Sequence, residues 1–325
     1  MNKLKICLIG PGIMSIPPNN WGAVESLIWD QYEYLLKKGH NVEIINSPDL
    51  QSVANHVNEV DYDFIHLHYD DHAQVLTKLI TKPFCTTTHY GYIKEHYPDY
   101  PEWKNIYNGV LNSKGIISLA PEISNLFKGS GYKGFLRSLR NGARTSEFNF
   151  ITSPNKHGLC LGKVEPRKRQ TDLANACRNK NSIDFIGPVI DYAFRENETC
   201  KYAGVWTKPT LYQNMTDYKC LILLSDGEAA PLVVPEALSA GLSLVVSPTA
   251  AANLDTTLPF IHVLDGPLDD SINETIGNAI ENNNKYRDDI RKYALDYFDW
   301  DVVCDDYIKI VKEFINENSF CNNSN

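Results

Sequence analysis

Residues Lys5–Ile45 read KICLIGPGIMSIPPNNWGAVESLIWDQYEYLLKKGHNVEII. Lys5–Gly10 is a short apolar run with no polar alternation, the pattern of a strand buried on both faces. The loop Gly10-Pro11-Gly12 follows, then a helical pattern whose apolar face is Val24, Leu27, Ile28, Tyr32 and Leu35. Gly39 ends that helix, because a glycine just past the last turn takes up the left-handed conformation at little cost. Asn41–Ile45 is a second strand. Strand, helix and strand in this order make a βαβ unit, which lays two parallel strands in one sheet.

The alternation continues outward. Further strands are predicted at Phe64–His68, Phe84–Thr88 and Gly115–Ala120. A polar break, Arg144–Lys156 (RTSEFNFITSPNK), interrupts it. The pattern then restarts at Gly158–Leu161, Ile183–Ile186, Cys220–Leu224, Leu244–Ser247 and Phe260–Leu264. Beyond Asp265 the chain reads as helical, and Val303, Tyr307, Val311 and Phe314 form one apolar stripe at helical spacing. A chain of 325 residues with 43% hydrophobic content exceeds a single core. The expectation is an α/β protein of two Rossmann-like domains, 1–150 and 151–300, followed by a C-terminal helix and polar tail at 301–325. Ligands of open α/β sheets bind at the C-terminal ends of the strands, so the cleft between two such domains is the place to expect a site.

The net charge of −9 argues against a nucleic-acid-binding chain, which needs a basic face. No apolar stretch is long enough to cross a bilayer, which leaves peripheral membrane contact open. The eight cysteines (Cys7, Cys85, Cys160, Cys177, Cys200, Cys220, Cys304, Cys321) include no C-x-x-C pair, and read as small buried hydrophobes in a reducing, cytoplasmic compartment. No His/Cys cluster has metal-ligand spacing. Asp61-Tyr62-Asp63 has the spacing of a metal-binding D-x-D, but it precedes a predicted strand and reads as a turn.

Two segments carry chemistry. Ser225–Gly241, SDGEAAPLVVPEALSAG, runs from a strand end into a helix predicted to begin near Leu232. Pro231 and Pro235 fit only where a backbone N–H has no helical partner. The free N–H groups of Leu232, Val233 and Val234, with the helix dipole behind them, suit a diphosphate. Glu228 and Glu236, one on either side, suit vicinal hydroxyls of a sugar and a ribose. Read alone, this is equally an amphipathic helix with two surface glutamates. The second segment, Gly162–Arg169 (GKVEPRKR), places four cations in seven residues at a predicted strand end. Such a cluster can neutralise a pyrophosphate without a metal.

Together these residues resemble glycosyltransferase family 4, the retaining GT-B enzymes. GKVEPRKR stands where that family has G-R-L-x-P-x-K-G, and EAAPLVVPEALSAGLSLV where it has E-G-F-G-L-V-x-x-E-A-x-A-x-G-x-P-V. Pro17–Asn46 looks like its first loop, helix and strand, and TTTHYG at Thr86–Gly91 like its T-x-H-G strand end. Asn141-Gly142 through Phe148 looks like its crossover, and Phe298–Trp300 with the last helix like the segment that returns to the first domain. The resemblance covers nearly the whole chain in the family's order.

It implies a nucleotide-diphosphate-sugar donor, a glycan or other hydroxyl acceptor, and no metal or resident cofactor. Lys163 and Lys168 would bind the diphosphate, Glu228 the transferred sugar and Glu236 the ribose. His89 would lie near the reacting centre, the loop carrying Gly12 would close on the phosphates, and Gly204–Gln213 would meet the nucleobase. The chain departs from the family at Ala229 and Pro231, where it has glycines, and at Lys163, where it has arginine. The alternatives are a sugar-nucleotide 2-epimerase of the same architecture and a degenerate domain that binds without turnover. A nicotinamide enzyme is disfavoured, since the first loop lacks a third glycine and Asn46-Ser47 stands where an acidic residue would. The aromatics Tyr90, Tyr92, Tyr97, Tyr100, Trp103 and Tyr107 could form an acceptor platform or a core. Arg137, Arg140 and Arg144 read as an interdomain ion-pair network more readily than as a lipid-phosphate site.

Overall fold

A computed structural model describes residues 3–19, 22–89, 91 and 100–322. The chain divides into two compact units, 1–141 with 300–325, and 142–299.

The first unit holds a sheet ordered β2-β1-β3-β4-β5-β6, with every neighbouring pair parallel. Its elements are β1 (Lys5–Ile9), α1 (Ala23–Lys37), β2 (Asn41–Ile45), α2 (Leu50–Glu59), β3 (Phe64–Leu67), α3 (Asp70–Leu79), β4 (Cys85–Thr86), α4 (Pro101–Leu111), β5 (Gly115–Ser118), α5 (Pro121–Gly129) and β6 (Phe135–Ser138). The second unit holds a sheet ordered β12-β11-β10-β7-β8-β9, again parallel throughout. It comprises β7 (Lys156–Leu161), α6 (Gln170–Ala176), β8 (Ile183–Ile186), β9 (Cys200–Tyr202), α7 (Lys208–Asn214), β10 (Tyr218–Leu223), α8 (Val233–Ser239), β11 (Ser243–Val246), β12 (Ile261–Val263) and α9 (Ser271–Tyr297).

The continuous apolar runs of the central strands have a direct cause. Leu159, Leu161, Leu221, Leu223, Leu244 and Val246 point to one core, while Cys160, Cys220, Ile222 and Val245 point to another. Successive residues of a strand face opposite sides, so a strand covered on both sides is apolar at every position. Seven cysteines are buried and form no disulfide among the described residues; the side chain of Cys321 lies outside them.

The last helix, α10 (Trp300–Asn322), belongs to the first unit. Its stripe Val303, Tyr307, Val311 and Phe314 is buried, with Phe314 packed edge-on to both Phe64 and Phe135. Arg137 pairs with Glu313 and Glu317, and Arg140 with Asp306, so these two cations tie α10 to β6 and the segment that follows it.

Three expectations need correction. β6 and β9 are strands the apolar pattern did not predict; both lie at sheet edges. β4 is two residues long where five were expected. The polar stretch Arg144–Lys156 is not a free connector. Phe148 is buried in the second unit's core, and the N–H groups of Asn149 and Ile151 donate to Tyr212 O (2.9 Å) and Thr216 Oγ1 (3.0 Å). The units divide ahead of it, between Asn141 and Gly142.

Candidate functional site

In the second sheet the chain runs outward from β7 to β8 and β9, then returns to place β10 on the other side of β7. The strand order therefore reverses between β7 and β10, and ligands of open α/β sheets bind beside such a reversal. Both segments singled out above leave the sheet there, one from each strand.

They are joined to each other. Arg167 O accepts from Asp226 N (2.9 Å), and Arg167 Nη1 donates to Asp226 O (3.1 Å) and Gly227 O (3.3 Å). The same nitrogen lies 3.4 Å from Glu228 Oε1, while Nη2 contacts Glu165 Oε1 at 3.1 Å. From the other side, Glu228 N donates to Thr249 Oγ1 (3.2 Å), beyond the end of β11. Glu228 thus stands at the strand edge on a loop anchored by both neighbours, its side chain 13% exposed.

The four cations divide into two kinds. Arg167 is engaged as described, and Arg169, in the left-handed region at φ 55°, donates to Gly266 O (3.2 Å). Lys163 and Lys168 have no ion-pair partner among the described residues. Lys168 Nζ lies over Gly162 at the end of β7, only 2.8 Å from where a Cβ on that glycine would sit. With φ at +145°, Gly162 both takes a conformation other residues avoid and leaves room for the ammonium. Gln170 holds the loop in shape, accepting from Glu165 N (3.1 Å) and donating to Lys163 O (2.8 Å).

Helix α8 begins at Val233, one residue from the predicted start, with Leu232 as its N-cap. Val234 N already donates to Pro231 O (3.1 Å), which leaves the N–H groups of Leu232 and Val233 as the first-turn donors without a partner among the described residues. Glu236 lies on that turn with its side chain 12% exposed, and Lys208 Nζ meets its Oε1 at 2.6 Å. Lys208 was not singled out from the sequence. The signal was Thr207-Lys208-Pro209, an N-cap followed by proline: Thr207 does cap α7, and a lysine at that end opposes the helix dipole unless an acid answers it.

In the first unit the order reverses between β1 and β3. Gly12, after β1, has φ +68°; a Cβ there would lie 2.4 Å from Ser47 C. Its N–H donates to Asn46 Oδ1 (2.7 Å), and Asn46 Nδ2 donates to Met14 O (2.7 Å). Asn46, noted in the sequence only as not acidic, thus holds this loop, and the N–H of Gly12 is already engaged.

His89 follows β4. Its N–H donates to Asp70 Oδ1 (3.1 Å), and the hydroxyl of Thr88 donates to Asp70 Oδ2. Burial pushes the Asp70 carboxyl up to about 7, against the lowering effect of its hydrogen bonds, and pushes His89 down to about 4. At neutral pH His89 is therefore an uncharged imidazole. Its Nε2 and both ring nitrogens of neighbouring His68 are buried without a partner among the described residues. His66, by contrast, is tied to Tyr307 Oη (3.1 Å) and Thr87 Oγ1 (2.7 Å). His66, His68 and Asp70 were missed; the period-2 spacing of the two histidines was the available signal.

Other expectations fall outside the site. Tyr107 is fully buried, stacked on Phe127, and belongs to the core. Tyr90, Tyr92 and Tyr97 lie outside the described residues. Asp63 accepts from Lys5 N (2.7 Å) in a turn before β3, at the opposite edge of the sheet. Among the described residues no helix is long and apolar enough to cross a membrane.

No protein-family model and no curated protein sequence matches the chain. Solved structures do. Sucrose-phosphate synthase from Thermosynechococcus elongatus superposes with TM-score 0.77 at 14% identity, covering 97% of this chain and 100% of that one. Anabaena HepE, solved with UDP and glucose, gives 0.74 at 15% identity over 95% and 100%. AviGT4, a glycosyltransferase of avilamycin A biosynthesis, gives 0.68 at 13% over 97% and 98%. At these identities the likeness establishes the architecture: the chain has the GT-B fold.

Proposed function

We propose that the chain is a glycosyltransferase that moves a sugar from a nucleotide-diphosphate-sugar donor to a glycan or other hydroxyl acceptor, with retention at the anomeric carbon and without a metal. The observation that carries this reading is the joining, through Arg167, of the lysine-bearing loop after β7 to the loop of Glu228 after β10, at the reversal of strand order and just ahead of α8 and Glu236. It draws support from HepE, which shares the fold and was solved with UDP-glucose.

In this reading the diphosphate lies between Lys163, Lys168 and the N–H groups of Leu232 and Val233, whose positive charge stabilises the leaving group as its bond breaks. Glu236 accepts from the ribose hydroxyls and Glu228 from hydroxyls of the transferred sugar. The bond from the anomeric carbon to the phosphate oxygen breaks, the bond to the acceptor oxygen forms on the same face, and the acceptor's proton passes to the departing phosphate. His89 is the first unit's candidate for a contact to the sugar, acting as a neutral hydrogen-bonding group.

The test is to screen nucleotides by thermal shift, then to titrate UDP and follow its release from UDP-glucose. Nucleotide binding that fails to depend on Lys168 and Glu236 would remove the assignment. Pro231, which subtracts one N–H from the helix start, favours a second reading of binding without turnover; UDP affinity with no UDP release would establish it.

A further inference from the structure

Arg167 sits in the basic segment, yet its guanidinium faces protein. It bridges two carboxylates, Glu165 and Glu228, whose side chains are 20% and 13% exposed, and grips the carbonyls of Asp226 and Gly227. Lysine could make only part of this set, because the contacts come from two nitrogens of one planar fork. Without the guanidinium, the two carboxylates would be left with no cation between them, and Glu228 would turn toward solvent.

We propose that Arg167 is the positioning residue that sets Glu228 for the transferred sugar, rather than a ligand of the diphosphate. The inference rests on the role given to Glu228 above. It also separates the basic segment into donor-binding lysines and an arginine that acts through another residue. The backbone bond from Asp226 N to Arg167 O does not depend on the side chain, so Arg167→Ala keeps the two loops joined.

Two measurements test it on Arg167→Ala, Arg167→Lys, Glu228→Gln and the double variant Arg167→Ala/Glu228→Gln. The first is the rate of UDP release from UDP-glucose together with UDP affinity by calorimetry. Arg167→Ala should slow release about tenfold, the loss expected for contacts to a charged group, with UDP affinity held within about twofold. Arg167→Lys should recover part of that rate, and the double variant should be no slower than Glu228→Gln alone. The second is amide hydrogen exchange, which needs no donor: Arg167→Ala should raise exchange at residues 227–229 severalfold and leave α8 unchanged.

Unchanged exchange in Arg167→Ala overturns the anchoring whatever the donor. A parallel loss of UDP affinity makes Arg167 a diphosphate ligand and overturns the proposal, as do additive losses in the double variant. Wild-type release by Glu228→Gln, with exchange raised in Arg167→Ala, sinks instead the role of Glu228 beneath the proposal.

Discussion

Glu236 stands in the first turn of α8 and Lys168 on the loop after β7, and each has one feature the other lacks: the glutamate is held by Lys208, whereas the lysine has no ion-pair partner among the described residues. If both bind the donor, Glu236→Ala and Lys168→Ala should each weaken UDP binding by about tenfold. Glu228→Ala should instead lower turnover more than affinity. Titration with UDP and UDP-glucose checks all three. Asp70 yields a prediction of a different kind. Its carboxyl is raised by burial to about 7 from 3.8, so the stability it contributes is fully present below about pH 4 and is lost as pH rises through 7. Asp70→Asn cannot ionise, yet it keeps both contacts, its Oδ1 accepting from His89 N and its amide donating to the Thr88 hydroxyl. The stability advantage of wild type over this variant should therefore shrink by at least about 1 kcal/mol between pH 4 and pH 8, read from urea unfolding at each pH. The buried histidines shift the other way, but they are common to both proteins and cancel. An advantage that grows with pH would refute the assignment. Candidate residues in the second unit could be named from sequence because strand ends and helix starts have local signatures. Asp70 and His68 were not, since their significance comes from burial that no local pattern encodes.

At the scale of elements, α10 shows which part of packing a sequence carries. Its stripe was readable from the 3.6-residue period; the surface it covers was not, because period says nothing of partner, and only the family resemblance implied a return to the first domain. Aromatic contact outweighs charge there. Phe314→Ala removes a ring buried between Phe64 and Phe135 and should cost about 3–5 kcal/mol. Arg137→Ala breaks pairs whose members are 39% to 56% exposed and should cost less than about 1 kcal/mol. Denaturant midpoints of the two variants decide it, and equal losses would contradict the ranking. The two missed strands have a shared cause. β6 (FLRS) and β9 (CKY) are edge strands covered on fewer sides, so charged and polar residues interrupt the apolar run that marked their central neighbours.

At the scale of the molecule, each unit has its own core and should unfold as its own transition. Arg287 is the means of separating the two. It is 4% exposed, and its guanidinium donates to the carbonyls of Ile151, Thr216, Tyr218, Ala240 and Gly241, closing the second unit around α9. Burial lowers its pKa to about 10, so it stays charged at neutral pH. Arg287→Ala would leave these carbonyls buried and unanswered, at a cost of about 3–5 kcal/mol. Calorimetry should then find one transition lowered in Arg287→Ala and the other in Phe314→Ala. Since Lys168, Glu228 and Glu236 all belong to the second unit, UDP at about a hundred times its Kd should raise the first of these transitions, by roughly 2.7 kcal/mol. The Phe314-sensitive transition should not move. Stabilisation confined to the transition that Phe314→Ala lowers would place the nucleotide in the wrong unit and end the donor assignment.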